Sequence, residues 1–168
     1  KRRQRKEKLF IYRLKQGNDE ETRTPRWHEV EFKSTRTFEN MFFKGKKEFL
    51  DKIMFFKNNE AWYRKNGHPY TLGIGLKGPP GTGKTSIIKA LANLLNRHLI
   101  EIPLNEIKSE QSFFEAYFQT KYGRRDRQEI NWGEKILLFE DIDAQNDVVN
   151  KRTTQKKPKQ LVDASANP

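Results

Sequence analysis

The stretch GPPGTGKTS, residues 78–86, decides how the rest of the chain is read. It fits the phosphate-binding pattern Gly-x-x-x-x-Gly-Lys-Ser/Thr at Gly78, Gly83, Lys84 and Thr85. Each residue type has its own physical reason. Gly81 and Gly83 carry no side chain, so the backbone can curl and point N–H groups inward at phosphate oxygens. A helix beginning near Lys84 adds the positive end of its dipole. Lys84 reaches the β- and γ-phosphates as a point charge, and the Thr85 hydroxyl is suited to ligate Mg²⁺. Gly78, Pro79, Pro80, Thr82 and Ser86 complete the segment expected to touch a nucleotide. The pattern requires a strand before it and a helix after it. YTLGIGL (70–76) predicts a buried strand, and Ile87, Ile88, Leu91, Leu94 and Leu95 form a helical stripe.

Working outward, strand and helix signals alternate. HLIEIPL (98–104) predicts a second strand and SEQSFFEAYFQTKYG (109–123) an amphipathic helix with a serine cap. KILLFED (135–141) predicts a third, apolar strand ending in Glu140 and Asp141. In enzymes with this loop, carboxylates at such a strand end hold Mg²⁺ and activate water. The alternation implies a parallel sheet covered by helices. Upstream, LFIYRL (9–14) and WHEVEF (27–32) predict a β-ribbon across a polar turn. KKEFLDKIMFF (46–56) places Phe49, Leu50, Ile53 and Met54 on one helical face, and a short helix over EAWYRKN (60–66) stops at Gly67.

The chain of 168 residues is long enough for one domain with a core. It has no cysteine, which excludes disulfides and thiolate metal sites and fits a reducing compartment, cytoplasmic or organellar. No apolar run approaches the ~20 residues of a membrane helix. Of the net charge of +12, +5 lies in residues 1–8 and another +5 in residues 151–159. Both segments lack apolar periodicity and read as solvated tails, with contacts to nucleic acid or an anionic surface as the alternative. His28, His68 and His98 are scattered and read as surface or satisfied histidines. Trp132 reads as core or interface, and KYGRRDRQ (121–128) as a basic loop.

GPPGTGKTS with ILLFEDIDA (136–144) downstream resembles the AAA group of P-loop ATPases. RTFENMFF (36–43) and the run FKNNEAWYRKNGHPYTLGIGLKGPPGTGKTSIIKALANLL (56–95) are similar to one branch of that group. It contains the mitochondrial chaperone that inserts the Rieske iron–sulfur protein into respiratory complex III. The fold implied is α/β, a P-loop NTPase parallel sheet with helices on both faces, an incomplete AAA large subdomain preceded by a short β-ribbon. The organisation implied is a basic tail (1–8), the ribbon as the possible end of a family-specific N-terminal domain (9–38), the N-terminal part of the ATPase domain (39–144), and a basic polar tail or disordered insertion (145–168). The resemblance implies ATP and Mg²⁺ as cofactors and hydrolysis by a homo-oligomeric ring acting on a protein substrate.

ATP would be held by residues 78–86, the Walker A loop, with Lys84 as a catalytic residue. The group's usual Walker B order is Asp then Glu, here inverted. Alignment on the apolar run puts Glu140 at the Mg²⁺ position and Asp141 at the water-activating position, with Thr85 as the third metal-site residue. The adenine pocket is expected around residues 38–43. No aromatic–hydrophobic–glycine threading loop follows the second strand, and no sensor strand, arginine finger or helical lid is apparent after Asp143. These 168 residues are therefore expected to bind Mg-ATP and to hydrolyse it negligibly. A nucleic-acid-directed motor of helicase or clamp-loader type, and a nucleotide-binding module without turnover, are the alternatives.

Overall fold

The computed structural model describes residues 8–18, 24–123 and 127–140. In chain order its elements are β1 (Phe10–Asn18), β2 (Pro25–Glu31), α1 (Lys46–Asn58), α2 (Glu60–Lys65), α3 (Lys84–Leu95), β3 (His98–Pro103), α4 (Glu110–Phe118), β4 (Lys121–Tyr122), β5 (Gln128–Glu129) and β6 (Lys135–Glu140).

β1 reads FIYRLKQGN, apolar and polar by turns, and folds as that period dictates. Phe10, Tyr12 and Leu14 are buried while Arg13 and Lys15 face outward. It pairs antiparallel with β2, the expected ribbon, and the register shifts between Lys15 and Asn18, where Gly17 takes a φ of 79°. The other edge of β1 pairs in parallel with β3, Ile11 against Leu99, and β3 pairs in parallel with β6, His98 against Lys135. The ribbon is thus continuous with the sheet, whose order is β2-β1-β3-β6. β3 is buried along nearly its whole length, as a parallel strand covered on both faces must be.

Each face of the sheet has its own core. On one, Tyr12, Ile100 and Ile102 pack with Ala116 of α4 and with Leu137 and Phe139 of β6. On the other, Ile136 joins Ile53 of α1 and Ala90 and Leu91 of α3. Residues 136 and 137 point to opposite faces because the strand period is two. The fold is α/β, with a largely parallel sheet and helices on both faces, as expected.

Three local expectations change. The strand expected at 70–76 does not form: residues 71–78 have no regular structure, and Leu72 and Ile74 are about 40% exposed. A strand is held by its ladder, no described strand borders this run, and Gly73 and Gly75 weaken it further. In α1 the core face runs through Phe49, Ile53 and Phe56, spaced by four and three, whereas Met54 lies about 100° round the helix from Ile53 and is 38% exposed. α4 ends at Phe118 rather than 123, because Tyr122 is drawn into the core. Its ring packs 5.1 Å from Tyr12 and 5.0 Å from Trp27, and its hydroxyl donates to the Gln119 carbonyl at 2.6 Å. The chain leaves the helix to put it there, and β4 pairs with β5.

Candidate nucleotide site

The loop at 78–86 is shaped by two glycines and by its own lysine. Gly81 and Gly83 have φ of 82° and 88°, the left-handed region that side chains disfavour. Lys84 folds back over the loop, its Nζ donating to the carbonyls of Gly78 at 2.6 Å and Pro79 at 2.9 Å. The Thr82 hydroxyl donates to the Pro79 carbonyl at 2.8 Å. The curl is therefore closed by the side chains at 82 and 84.

Gly83 is the N-cap of α3 and no side chain caps that end. The first helical bond runs from the Ile87 N–H to the Gly83 carbonyl at 3.0 Å. The N–H groups of Lys84, Thr85 and Ser86 precede it, so the helix opens with donors and a positive dipole end facing the loop. Such an arrangement is suited to an anion. α3 is anchored from two sides. The Asn93 side-chain amide donates to the carbonyls of Ser34 and Arg36, and Lys57 Nζ donates to the Leu94 carbonyl.

An open cleft of about 620 Å³ lies beside the helix start, lined by Lys33, Thr35, Arg36, Thr85, Ser86 and Lys89 among others. Its cations and hydroxyls suit a phosphate-bearing ligand. The residues expected to form the adenine pocket behave differently. Phe38 is buried, Met41 and Phe43 pack on the α1–α3 core, and Phe42 is 91% exposed. The cleft is instead lined by Lys33–Arg36, the four residues that precede Thr37 and that packing segment.

Glu140 ends β6. Because Ile136 packs toward α3, alternation sets Leu138 and Glu140 on that same face of the sheet. Its carboxylate pairs with Arg13 Nη2 at 3.3 Å, and Arg13 Nη1 also reaches Glu101 at 3.4 Å. Burial first, and then the Glu140 charge, push the Glu101 carboxyl above its ordinary range, while Arg13 pulls it back. Neither Arg13 nor Glu101 is singled out by any motif, since they lie 88 residues apart in sequence. Asp141 lies outside the described residues. Among the described residues no cluster of three His, Asp or Glu side chains could hold a metal, and no helix is long and apolar enough to cross a membrane.

Residues 74–164 match the ATPase family associated with various cellular activities (AAA), a span of more than half the chain that contains both the glycine loop and the acidic strand end. The chain belongs to the AAA ATPase family. It is similar to AAA-ATPase At4g30250 of Arabidopsis thaliana, 28% identical over 92% of this chain and 28% of that protein. It is also similar to AAA-ATPase ASD, mitochondrial, of the same organism, 31% identical over 78% of this chain and 24% of that protein. The chain thus spans about a quarter of the length of these AAA relatives.

Proposed function

We propose that the protein binds ATP with Mg²⁺ at residues 78–86 and takes part in hydrolysing it to remodel or translocate a protein substrate, within a homo-oligomeric ring. The observation that carries this is the loop closed by Lys84 and Thr82 at the uncapped start of α3. The backbone donors at 83–86 orient the phosphate chain, and the backbone of 78–80 forms its outer wall. Lys84 needs only to exchange two carbonyl partners for phosphate oxygens, a shift its flexible stem allows. The Thr85 hydroxyl and the Glu140 carboxylate are hard oxygen donors, the kind Mg²⁺ takes when phosphates and water complete its shell. When bound, that ion would neutralise charge on the β- and γ-phosphates. Asp141, one residue beyond Glu140, is assigned to accept the proton of the attacking water. The quoted motifs support placing the protein in the branch of the complex III chaperone. An AAA ATPase domain match supports the ring, which would supply an arginine finger from a neighbour and leave the isolated 168 residues nearly inactive.

Lys84→Ala tests the site. Among the described residues its ammonium bonds to loop carbonyls alone, so the fold should survive while ATP affinity falls by at least tenfold in calorimetry. Unchanged affinity would sink the assignment.

A further inference from the structure

Three side chains form a row across one face of the sheet. Arg13 on β1 is the direct parallel partner of Glu101 on β3, and Glu140 on β6 is paired with Pro103, two residues further along β3. Arg13, Glu101 and Glu140 therefore project to the same side, the side that carries α3. The guanidinium spends one arm on each carboxylate, Nη1 on Glu101 at 3.4 Å and Nη2 on Glu140 at 3.3 Å. A planar fork can serve two carboxylates at once, which an ammonium cannot do with the same geometry. Glu101 is held tightly in this arrangement, with its side chain 17% exposed, whereas Glu140 is at the open end, 34% exposed.

We propose that Arg13 is a positioning residue for the Mg²⁺ site, competing with the ion for the Glu140 carboxylate while staying tethered to Glu101. The inference rests on the assignment of Glu140 as a Mg²⁺ donor. Glu101 then has a role of its own: it is the second anchor that takes Arg13 when Glu140 turns to the ion. It also keeps the guanidinium beside the site, so that Glu140 is never left as an unpaired, half-buried charge. The consequence for the molecule is a direct link from the N-terminal ribbon to the nucleotide. A shift of β1 along β3 changes how far Arg13 reaches, and so changes the affinity of the site for the metal.

The measurement is the Mg²⁺ midpoint for binding of a fluorescent ATP analogue, with affinity in EDTA as the check on the loop itself. Ion pairs this exposed move an equilibrium modestly, so Arg13→Gln should lower the midpoint about two- to fivefold. Affinity in EDTA should stay unchanged. Glu101→Gln, which leaves Arg13 wholly to Glu140, should raise the midpoint by a similar factor. In a Glu140→Gln background the effect of Arg13→Gln should vanish, because the contact it breaks is already gone. An Arg13→Gln shift that persists in that background would reduce Arg13 to a distant charge, and no shift at all would end the proposal. Glu140→Gln alone should raise the midpoint. If it does not, Glu140 is not a metal donor and the underlying assignment falls, whereas failure of the Arg13 arms alone leaves that assignment standing.

Discussion

Lys84 carries most of the residue-scale chemistry proposed for the loop, and its position follows from local rules. It is the first residue of a helix whose cap is a left-handed glycine, so its side chain leaves the backbone where the loop turns back on itself. The inverted acids at 140 and 141 are a subtler matter. With Glu140 proposed at the metal position and Asp141 at the water position, the first arm is longer than in the usual order by one methylene and the second shorter by one. A misplacement of about 1 Å can cost ~100-fold in rate, so turnover under this assignment is sensitive to the inversion. In the assembled ring, Asp141→Asn is expected to leave ATP bound and phosphate release reduced at least tenfold in a single-turnover assay. Full phosphate release by this variant would remove Asp141 from the mechanism. At this scale the curl of the loop was legible in sequence, because the glycines at 81 and 83 allow the left-handed backbone it needs. Arg13 was not legible, because nothing local distinguishes it from Lys15.

At the scale of elements, β3 shows how a buried strand depends on one histidine. His98 opens the strand, is 8% exposed, and its Nδ1 accepts the Phe10 N–H of β1 at 3.0 Å. That acceptor exists only in the neutral ring, and burial pushes His98 below its ordinary 6.5. The sign follows directly. Below pH 6.5 the unfolded chain binds a proton that the folded chain resists, so stability is full above that pH and is lost as pH falls toward the folded value. Urea midpoints should therefore drop as the pH falls below 6.5. In His98→Phe the protein should be less stable at pH 7, having an amide without its acceptor, but this His98 share of the acid dependence should disappear. An unchanged pH profile in the variant would show that other groups set it. The histidine's burial was expected from its sequence setting only as one of two readings. Which amide it serves depends on β1 docking beside β3.

Over the whole molecule, Lys135 ties the start of β6 to the end of α4 and to Tyr122 in the core of that face of the sheet. This lysine is 4% exposed at the start of β6, with Nζ 4.2 Å from the Trp132 ring centroid, and it donates to the Gln119 carbonyl at 2.7 Å and the Tyr122 hydroxyl at 3.2 Å. Burial pushes it from 10.5 down to about 8. Between pH 8 and 10 the unfolded chain keeps this proton and the folded chain loses it, so folding should become more favourable as pH rises through that window. Tyr122 acts in the opposite direction above pH 10, since burial pushes its hydroxyl up and the unfolded chain ionises first. Thermal unfolding should show a contribution rising from pH 8 to about 10 that is absent in Lys135→Met. The variant should be near neutral at pH 7, because the Gln119 carbonyl still accepts from Tyr122. A stability loss of more than about 2 kcal/mol in Lys135→Met at pH 7 would show that the ammonium is held more favourably than its burial implies.

The sequence by itself determined the loop at 78–86, the helix after it, and the apolar strand that ends in Glu140. Each is specified by residues close together in the chain, through backbone freedom at glycine and the 3.6- and 2-residue periods. Tertiary structure alone decided that residues 70–76 stay irregular, since a strand exists only where a partner supplies its ladder. It also ended α4 early, because burying Tyr122 between Tyr12 and Trp27 outweighs one more helical turn. The joining of the ribbon to β3, and with it the placing of Arg13 between Glu101 and Glu140, belongs to the same class. These partners are separated by scores of residues, and no local pattern encodes a contact that only sheet register brings about.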